Sequence, residues 1–205
     1  MKYIQKTAEP AEFAQWKKDN PGATYYTLHS KAQKQKKVLQ DSLLKEQGYI
    51  CCYCERQISA NNSHIEHFKP KGNPLYANLQ LDYNNLHCSC NGNPGKRKTN
   101  FCGGAKEDDY SSDLISPTEV DCASHFKYRI DGSMYPANPN DKRALYTISL
   151  LNLNFAFLRS QRKAVLKNFL DQSLTIEDLE KMKADYLLKS ADGKYKEFYS
   201  MIEAF

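Results

Sequence analysis

Six of the seven cysteines and three of the five histidines of this 205-residue chain fall between Cys51 and Lys106. A segment that concentrates ligands in this way folds around a metal or around disulfides, and either choice dictates the architecture of everything near it. Cys51 and Cys54 form a C-x-x-C pair, the spacing at which a tight knuckle brings two thiolates to one ion, and Cys90 and Cys102 complete a tetrahedral sulfur cage. Soft thiolates in fourfold coordination select zinc over magnesium or calcium, and an iron–sulfur cluster calls for tighter cysteine runs. We take Cys51, Cys54, Cys90 and Cys102 as the ligands of a structural Zn²⁺. Cys52 competes with its neighbours in the first pair, and Cys88 or His87 in the second. The N-terminus has no apolar stretch of the secretory kind, so the thiols read as metal ligands in a reducing cytosol rather than as disulfides.

Between the two halves of the cage lies a second set of ligands. His64-Ile65-Glu66-His67-Phe68-Lys69-Pro70 alternates polar and apolar residues, as a short strand does, and stops at a proline that cannot continue a ladder. On a strand, Glu66 and His67 point to opposite faces unless a bend re-aims one of them. Downstream come Asn85-Leu86, with Cys90 five positions on, and Cys102-Gly-Gly-Ala-Lys106. These residues resemble the HNH endonucleases, the zinc-stapled variety of the ββα-metal nucleases. The family pattern joins C-x-x-C, an acidic residue plus His before an apolar residue and Pro, Asn-Leu ahead of a third cysteine, and a fourth cysteine with a nearby Lys. The fold implied is α+β: a zinc-stapled ββα-metal core flanked by N-terminal and C-terminal helices.

Hydrolysis of a phosphodiester requires a base for the attacking water, a divalent cation for the phosphate oxygens, and a means of orienting the base. The resemblance implies that His67 is the base, that Glu66 holds a catalytic Mg²⁺ or Mn²⁺, and that Asn85 fixes the His67 strand against the next one. It also implies that Lys106 faces the scissile phosphate. A histidine suits the base because its ordinary pKa lies near working pH, and a carboxylate suits the hard cation. The chain departs from the family at Gly103. Relatives place His or Asn directly after the fourth cysteine as a second ligand of the cation, whereas glycine has no side chain to offer. Asn91 is the first candidate to substitute, with Asp108, Asp109 and His64 behind it. The loop from Gly92 to Asn100 has the glycines and proline of an exposed turn, and its Lys96, Arg97 and Lys98 are candidate phosphate contacts.

The rest of the sequence frames this centre. At 40% hydrophobic residues the chain can bury a core, its net charge of +5 suits nucleic acid without requiring it, and no apolar run reaches the length of a membrane span. Residues 1–50 read as a helical lead-in. It comprises an edge strand at 1–6, a helix from Pro10 carrying Phe13 and Trp16 and ending at Asn20-Pro21-Gly22, and a helix over about 30–47 that stops at Gly48. The basic run from Lys31 to Lys37 reads as a solvated face. Within a nuclease core spanning 51–140, Asp113 to Pro117 reads as an exit strand, and residues 125–136 as a hairpin turning at Asp131-Gly132. From 141 to 205 the pattern is helical: Leu145, Ile148, Leu151, Phe155 and Leu158 keep a three-or-four spacing. Further helical runs follow from Ser173 to Leu188 and around Tyr195 to Ile202. The aromatic residues of this last region suit a docking surface.

Taken over nearly its full length, the layout resembles the PtuB-like HNH component of the Septu and retron-associated antiphage systems. That resemblance implies a partner ATPase of the ABC or SMC-like kind (PtuA-like) and a nucleic-acid target, DNA or transfer RNA. A reading from a different class keeps the zinc and drops the chemistry: a non-catalytic zinc module that binds nucleic acid or protein. Glu66, His67 and Asn85 together favour the enzyme, because a binder has no need of a base beside a hard-metal ligand.

Overall fold

In the computed structural model, which describes residues 1–92, 100–170 and 173–205, the chain is a mixture of helices and two small antiparallel sheets. The central pair is β1 (Ser63–His67) and β2 (Leu86–Cys90), in a register that sets Ser63 opposite Cys90, Glu66 opposite His87 and His67 opposite Leu86. Every residue of β2 is buried, because helix α3 (Gln33–Glu46) packs on it. Leu39, Leu43 and Leu44 of that helix are at most 2% exposed, the one-face spacing of an amphipathic helix. After β2 and the fourth cysteine comes a single turn of helix, α4 (Gly103–Lys106).

The lead-in holds α1 (Ala11–Asp19) and α2 (Tyr25–Lys31) ahead of α3. Thr24 caps α2 by accepting the Thr27 N–H at 3.2 Å. The helix expected over 30–47 is interrupted at Ala32 (φ −132°), so that Leu28 before the break and Leu39 after it both reach the core. Gly48 ends α3 with φ 63°, and the Tyr195 ring lies where a Cβ would be. A side chain here would meet both a disfavoured backbone and an aromatic ring. The basic run is solvated as expected, with Lys37 paired to Asp41 at 2.6 Å and Lys34 to Glu12 at 2.9 Å.

Two expected strands are absent from the described residues. Residues 1–6 and 113–117 meet through one bond, Ile4 N–H to Pro117 O at 2.7 Å. Side chains then intercept the remaining donors: Ile115 N–H goes to Thr147 Oγ1 at 2.9 Å and Ser116 N–H to Glu119 Oε1 at 2.8 Å. With its amides satisfied this way, the segment has no ladder to offer. The second sheet is the expected hairpin, β3 (Phe126–Tyr128) and β4 (Met134–Pro136), with Gly132 at φ 81° in its turn.

The C-terminal region holds α5 (Lys142–Leu150), α6 (Ala156–Lys167), α7 (Ile176–Leu187) and α8 (Tyr199–Glu203). The apolar spacing from Leu145 to Leu158 runs across a break and not along one helix. Asn152 adopts φ 46°, and Asn154 exchanges hydrogen bonds with the Met134 backbone at 2.7 and 2.8 Å. Anchoring on the second sheet thus outweighs helix continuation. The helix expected from Tyr195 shrinks to α8 because Phe198 is left-handed, with φ 54°. Much of the aromatic content of this region is used internally: Phe169 and Phe198 are buried with Leu166, Met201 and Ile202, and Phe155 and Phe157 pack on Phe101. No helix among the described residues is long and apolar enough to cross a membrane.

Candidate active site

The cysteine knuckle is shaped by its backbone. Cys51 N–H donates to Arg56 O at 2.9 Å and Glu55 N–H to Cys51 O at 3.0 Å, with Glu55 at φ 61° closing the turn. The end of β2 brings Cys90 alongside, its N–H donating to Cys51 Sγ at 3.3 Å. Cys102 arrives at φ 58° with its N–H on Leu151 O at 2.8 Å. The sulfurs of Cys51, Cys54, Cys90 and Cys102 lie within 4.8 Å of one another, and those of Cys54 and Cys90 are 3.7 Å apart. A tetrahedron of zinc–thiolate bonds has edges of about 3.8 Å, so this buried donor set fits Zn²⁺. Burial pushes the Cys54 and Cys102 thiols well up. Burial also opposes ionisation of Cys51, yet S–H donors led by Cys102 hold it well below its ordinary value.

The competing ligands stand outside this group among the described residues. Cys88 Sγ points at Gln40 O, 3.8 Å away, and Cys52 is buried but not part of the cluster. His87 is 1% exposed with no hydrogen-bond partner among the described residues at either ring nitrogen, and burial drives its pKa down to about 3.

One strand away, the alternation of β1 sorts the other candidates. His64 and Glu66, two apart, share a face. His64 Nε2 is 3.3 Å from Glu66 Oε2, and His64 Nδ1 is 3.0 Å from Asn91 Oδ1. The other carboxylate oxygen, Glu66 Oε1, accepts from Tyr53 Oη at 3.2 Å and pairs with Lys106 Nζ at 3.1 Å. Burial works against the Glu66 carboxylate, but His64 and Lys106 hold its pKa below the ordinary value. His64 is likewise raised above its ordinary value by Glu66 and Asn91, against the effect of burial.

His67 points to the other face. Its ring meets Tyr25 edge-on at 4.5 Å, and its Nε2 lies 3.0 Å from the carbonyl of Gln80. A carbonyl only accepts, so Nε2 carries the proton and Nδ1 keeps the lone pair. Burial, aided by the nearby Lys71, lowers the His67 pKa to about 4. The imidazole is therefore neutral at working pH, and not half-titrated as its ordinary pKa implied. Asn85 clamps the turn that follows: its Oδ1 accepts Lys69 N–H at 2.8 Å, and its Nδ2 donates to Lys69 O and Leu79 O at 3.0 and 3.1 Å.

His64, Glu66, His67, Lys71, Gly103, Glu107 and Asp108 border one open cleft of about 270 Å³. A carboxylate oxygen, an imidazole nitrogen and room for water make a donor set that fits Mg²⁺ or Mn²⁺. Lys106, expected to face the phosphate, is instead 1% exposed, and its ammonium is committed to His67 O at 2.9 Å and to Glu66. Lys96, Arg97 and Lys98 lie outside the described residues. Tyr53 and Lys71 were missed by the sequence reading. Tyr53 lies between Cys51 and Cys54, whose spacing draws attention away from a phenol aimed at Glu66, and Lys71 is one basic residue among many.

Comparison with known proteins yields three relatives, while no family model matches the chain. The chain is 36% identical over 140 residues to a Vibrio cholerae protein named retron Vc95 putative HNH endonuclease, covering 66% of each protein. It is 27% identical over 208 residues to the corresponding protein of retron Ec83 in Escherichia coli, covering 82% of this chain and 80% of that one. It is 28% identical over 143 residues to the Septu protein PtuB of Bacillus thuringiensis, covering 69% of this chain and 49% of that one. The match thus spans just under two thirds of the first relative and about half of the third.

Proposed function

The chain belongs to the family of HNH endonucleases that these retron and Septu proteins represent, and on that premise we propose that it is a metal-dependent nuclease hydrolysing phosphodiester bonds of DNA or RNA. β1, β2 and α4 then correspond to the ββα-metal core, with the four-thiol cage as its structural zinc site. The observation that carries the reading is the arrangement of His67. Its Nε2–H is held by the Gln80 carbonyl and its Nδ1 lone pair is kept unprotonated by burial, beside a cleft that also holds the Glu66 carboxylate. A neutral imidazole of fixed tautomer accepts a proton from water.

In this reading Glu66 Oε2 holds the catalytic cation, while Tyr53 and Lys106 fix the carboxylate through Oε1. When bound, the cation polarises the phosphodiester and steadies the leaving oxygen. Asn85 holds residues 69 and 79 and so sets the wall against which His67 rests. Lys71, at the rim, is the cationic side chain placed to meet a phosphate. The names of the relatives, retron and Septu proteins, support a role in a defence system of that type; restraint of the nuclease by an ATPase of the ABC or SMC-like kind is part of the proposal and rests on the resemblance alone.

The test is cleavage of DNA and of RNA by the zinc-loaded protein, alone and with a neighbouring ATPase, in Mg²⁺ or Mn²⁺. Cation-dependent cutting that disappears in His67→Gln is the expected result. Tight binding of nucleic acid without cleavage under every condition would transfer the protein to the alternative class of zinc-dependent binding modules.

A further inference from the structure

Gly103 marks the place where relatives carry a second ligand of the catalytic cation, and the structure explains why nothing larger is found here. A Cβ on Gly103 would overlap Glu66 Oε2 and approach His64 Nε2 to 2.8 Å. The two side chains that fill this space come from β1 and reach across to α4. The volume that a residue 103 side chain would occupy is therefore taken by an imidazole from the opposite element. The Gly103 backbone is tied down independently, its N–H donating to Ser89 Oγ at 3.2 Å, so the helix cannot easily withdraw to make room.

The hydrogen bonds of His64 reinforce this geometry. Asn91 Oδ1 accepts only, so the 3.0 Å contact places a proton on His64 Nδ1. Nε2 is then the ring atom that faces Glu66 Oε2, 3.3 Å away. Both atoms converge on the space beside Gly103, close enough together for one small cation to reach them both. A metal-bound histidine whose other nitrogen is held by an oxygen acceptor has the same arrangement.

We infer that His64 Nε2 is the second protein ligand of the divalent cation held by Glu66, that Asn91 fixes its tautomer instead of binding the cation, and that Gly103 must lack a side chain to admit it. The inference rests on the nuclease reading for the cation itself, but the choice of ligand can be tested apart from cleavage. The probe is Mn²⁺ added to zinc-loaded protein, followed by electron paramagnetic resonance for affinity and by electron spin-echo modulation for a directly bound imidazole nitrogen. The wild type is expected to show that nitrogen signal, and His67→Gln to keep it. His64→Ala should lose the signal and bind Mn²⁺ about 100-fold more weakly, and Asn91→Ala about 10-fold more weakly. Gly103→His alone should fail to bind, whereas the double variant His64→Gly, Gly103→His should regain both affinity and the nitrogen signal. Zinc content and the thermal transition are recorded for each variant, and the swap keeps the test decisive if Gly103→His misfolds. A His64→Ala protein that retains the nitrogen signal and wild-type affinity, while Glu66→Gln loses Mn²⁺, overturns the assignment of His64 but leaves the nuclease reading standing. Indifference of Mn²⁺ binding to both His64→Ala and Glu66→Gln would overturn both.

Discussion

The cysteine cage and the cleft share the ends of β1 and β2, yet they are built to opposite specifications. The four sulfurs of the cage are at most 3% exposed and face one another. In the cleft, the His64 side chain is 39% exposed, and the Glu66 carboxylate is fixed through Oε1 by Tyr53 and Lys106 while its Oε2 lies 3.3 Å from His64 Nε2 at the border of the open space. Closed coordination serves stability, and an open coordination shell serves chemistry. The difference teaches how a small centre combines both: soft donors lock the backbone, which leaves the hard donors free to be under-coordinated. Lys106 and Tyr53 mediate between the two, since both are buried and both end on Glu66.

The largest effect should come from emptying the cage. Binding a structural zinc is worth about 10 to 16 kcal/mol in small zinc domains, as much as the whole net stability of an ordinary domain. A chelator strong enough to strip zinc should abolish the cooperative unfolding transition seen by circular dichroism, and Cys90→Ser should be insoluble or molten. Withholding Mg²⁺ or Mn²⁺ should leave that transition where it was. A soluble Cys90→Ser protein with one zinc per chain would erase the contrast between the two sites.

Next is the reaction itself. His67→Gln keeps the volume and a donor for the Gln80 carbonyl but removes the basic nitrogen, so cleavage should fall roughly 10²- to 10⁴-fold at unchanged zinc content. Single-turnover rates at saturating Mn²⁺ measure this, and a loss confined to substrate affinity would point away from proton transfer.

The third test concerns the link between the regions. Lys106→Met leaves the buried Glu66 carboxylate without its cation, a change that costs about 3 to 5 kcal/mol in comparable buried pairs. Urea unfolding of the zinc-loaded protein should show that loss. Unchanged stability accompanied by a raised KM would instead return Lys106 to the role of phosphate contact that the resemblance implied.

The smallest effect belongs to His87, which is buried near the start of β2, opposite Glu66, but part of neither site. Its pKa falls from the ordinary 6.5 to about 3 in the folded chain, so below pH 6.5 the unfolded chain takes up a proton that the native state refuses. His87 therefore makes stability rise with pH between about 3 and 6.5, and costs about 2 kcal/mol at pH 5. His87→Leu should be more stable than wild type at pH 5 by about that amount and differ less at pH 8, where the imidazole is neutral in both states. Equal gains at the two values would assign the effect to packing alone.

How much of this was legible in the residues differs from segment to segment. Cys51, Cys54, Cys90 and Cys102 could be read as one set because thiolate pairs at knuckle spacing have few other uses, and the four sulfurs do converge. The strand at His64 to His67 and the Asp131-Gly132 hairpin were equally open to reading, since alternation and turn chemistry are local, whereas a partner strand for the first was implied only by the family resemblance. Helix breaks were not. Asn152 and Phe198 leave the helical region because of contacts with distant segments, and nothing in a three-or-four spacing reports that. The same limit applies to the cleft. The order His64-Ile65-Glu66-His67 determined that His64 and Glu66 share one face and His67 takes the other, because a strand alternates. Only the tertiary structure decided that Lys106 would be withdrawn from solvent onto Glu66, that the Gln80 carbonyl would set the tautomer of His67, and that Gly103 would face His64. Those outcomes depend on the approach of α4 and of the 68–85 linker to the sheet. The approach is set by packing among residues far apart in the chain, and no local pattern encodes it.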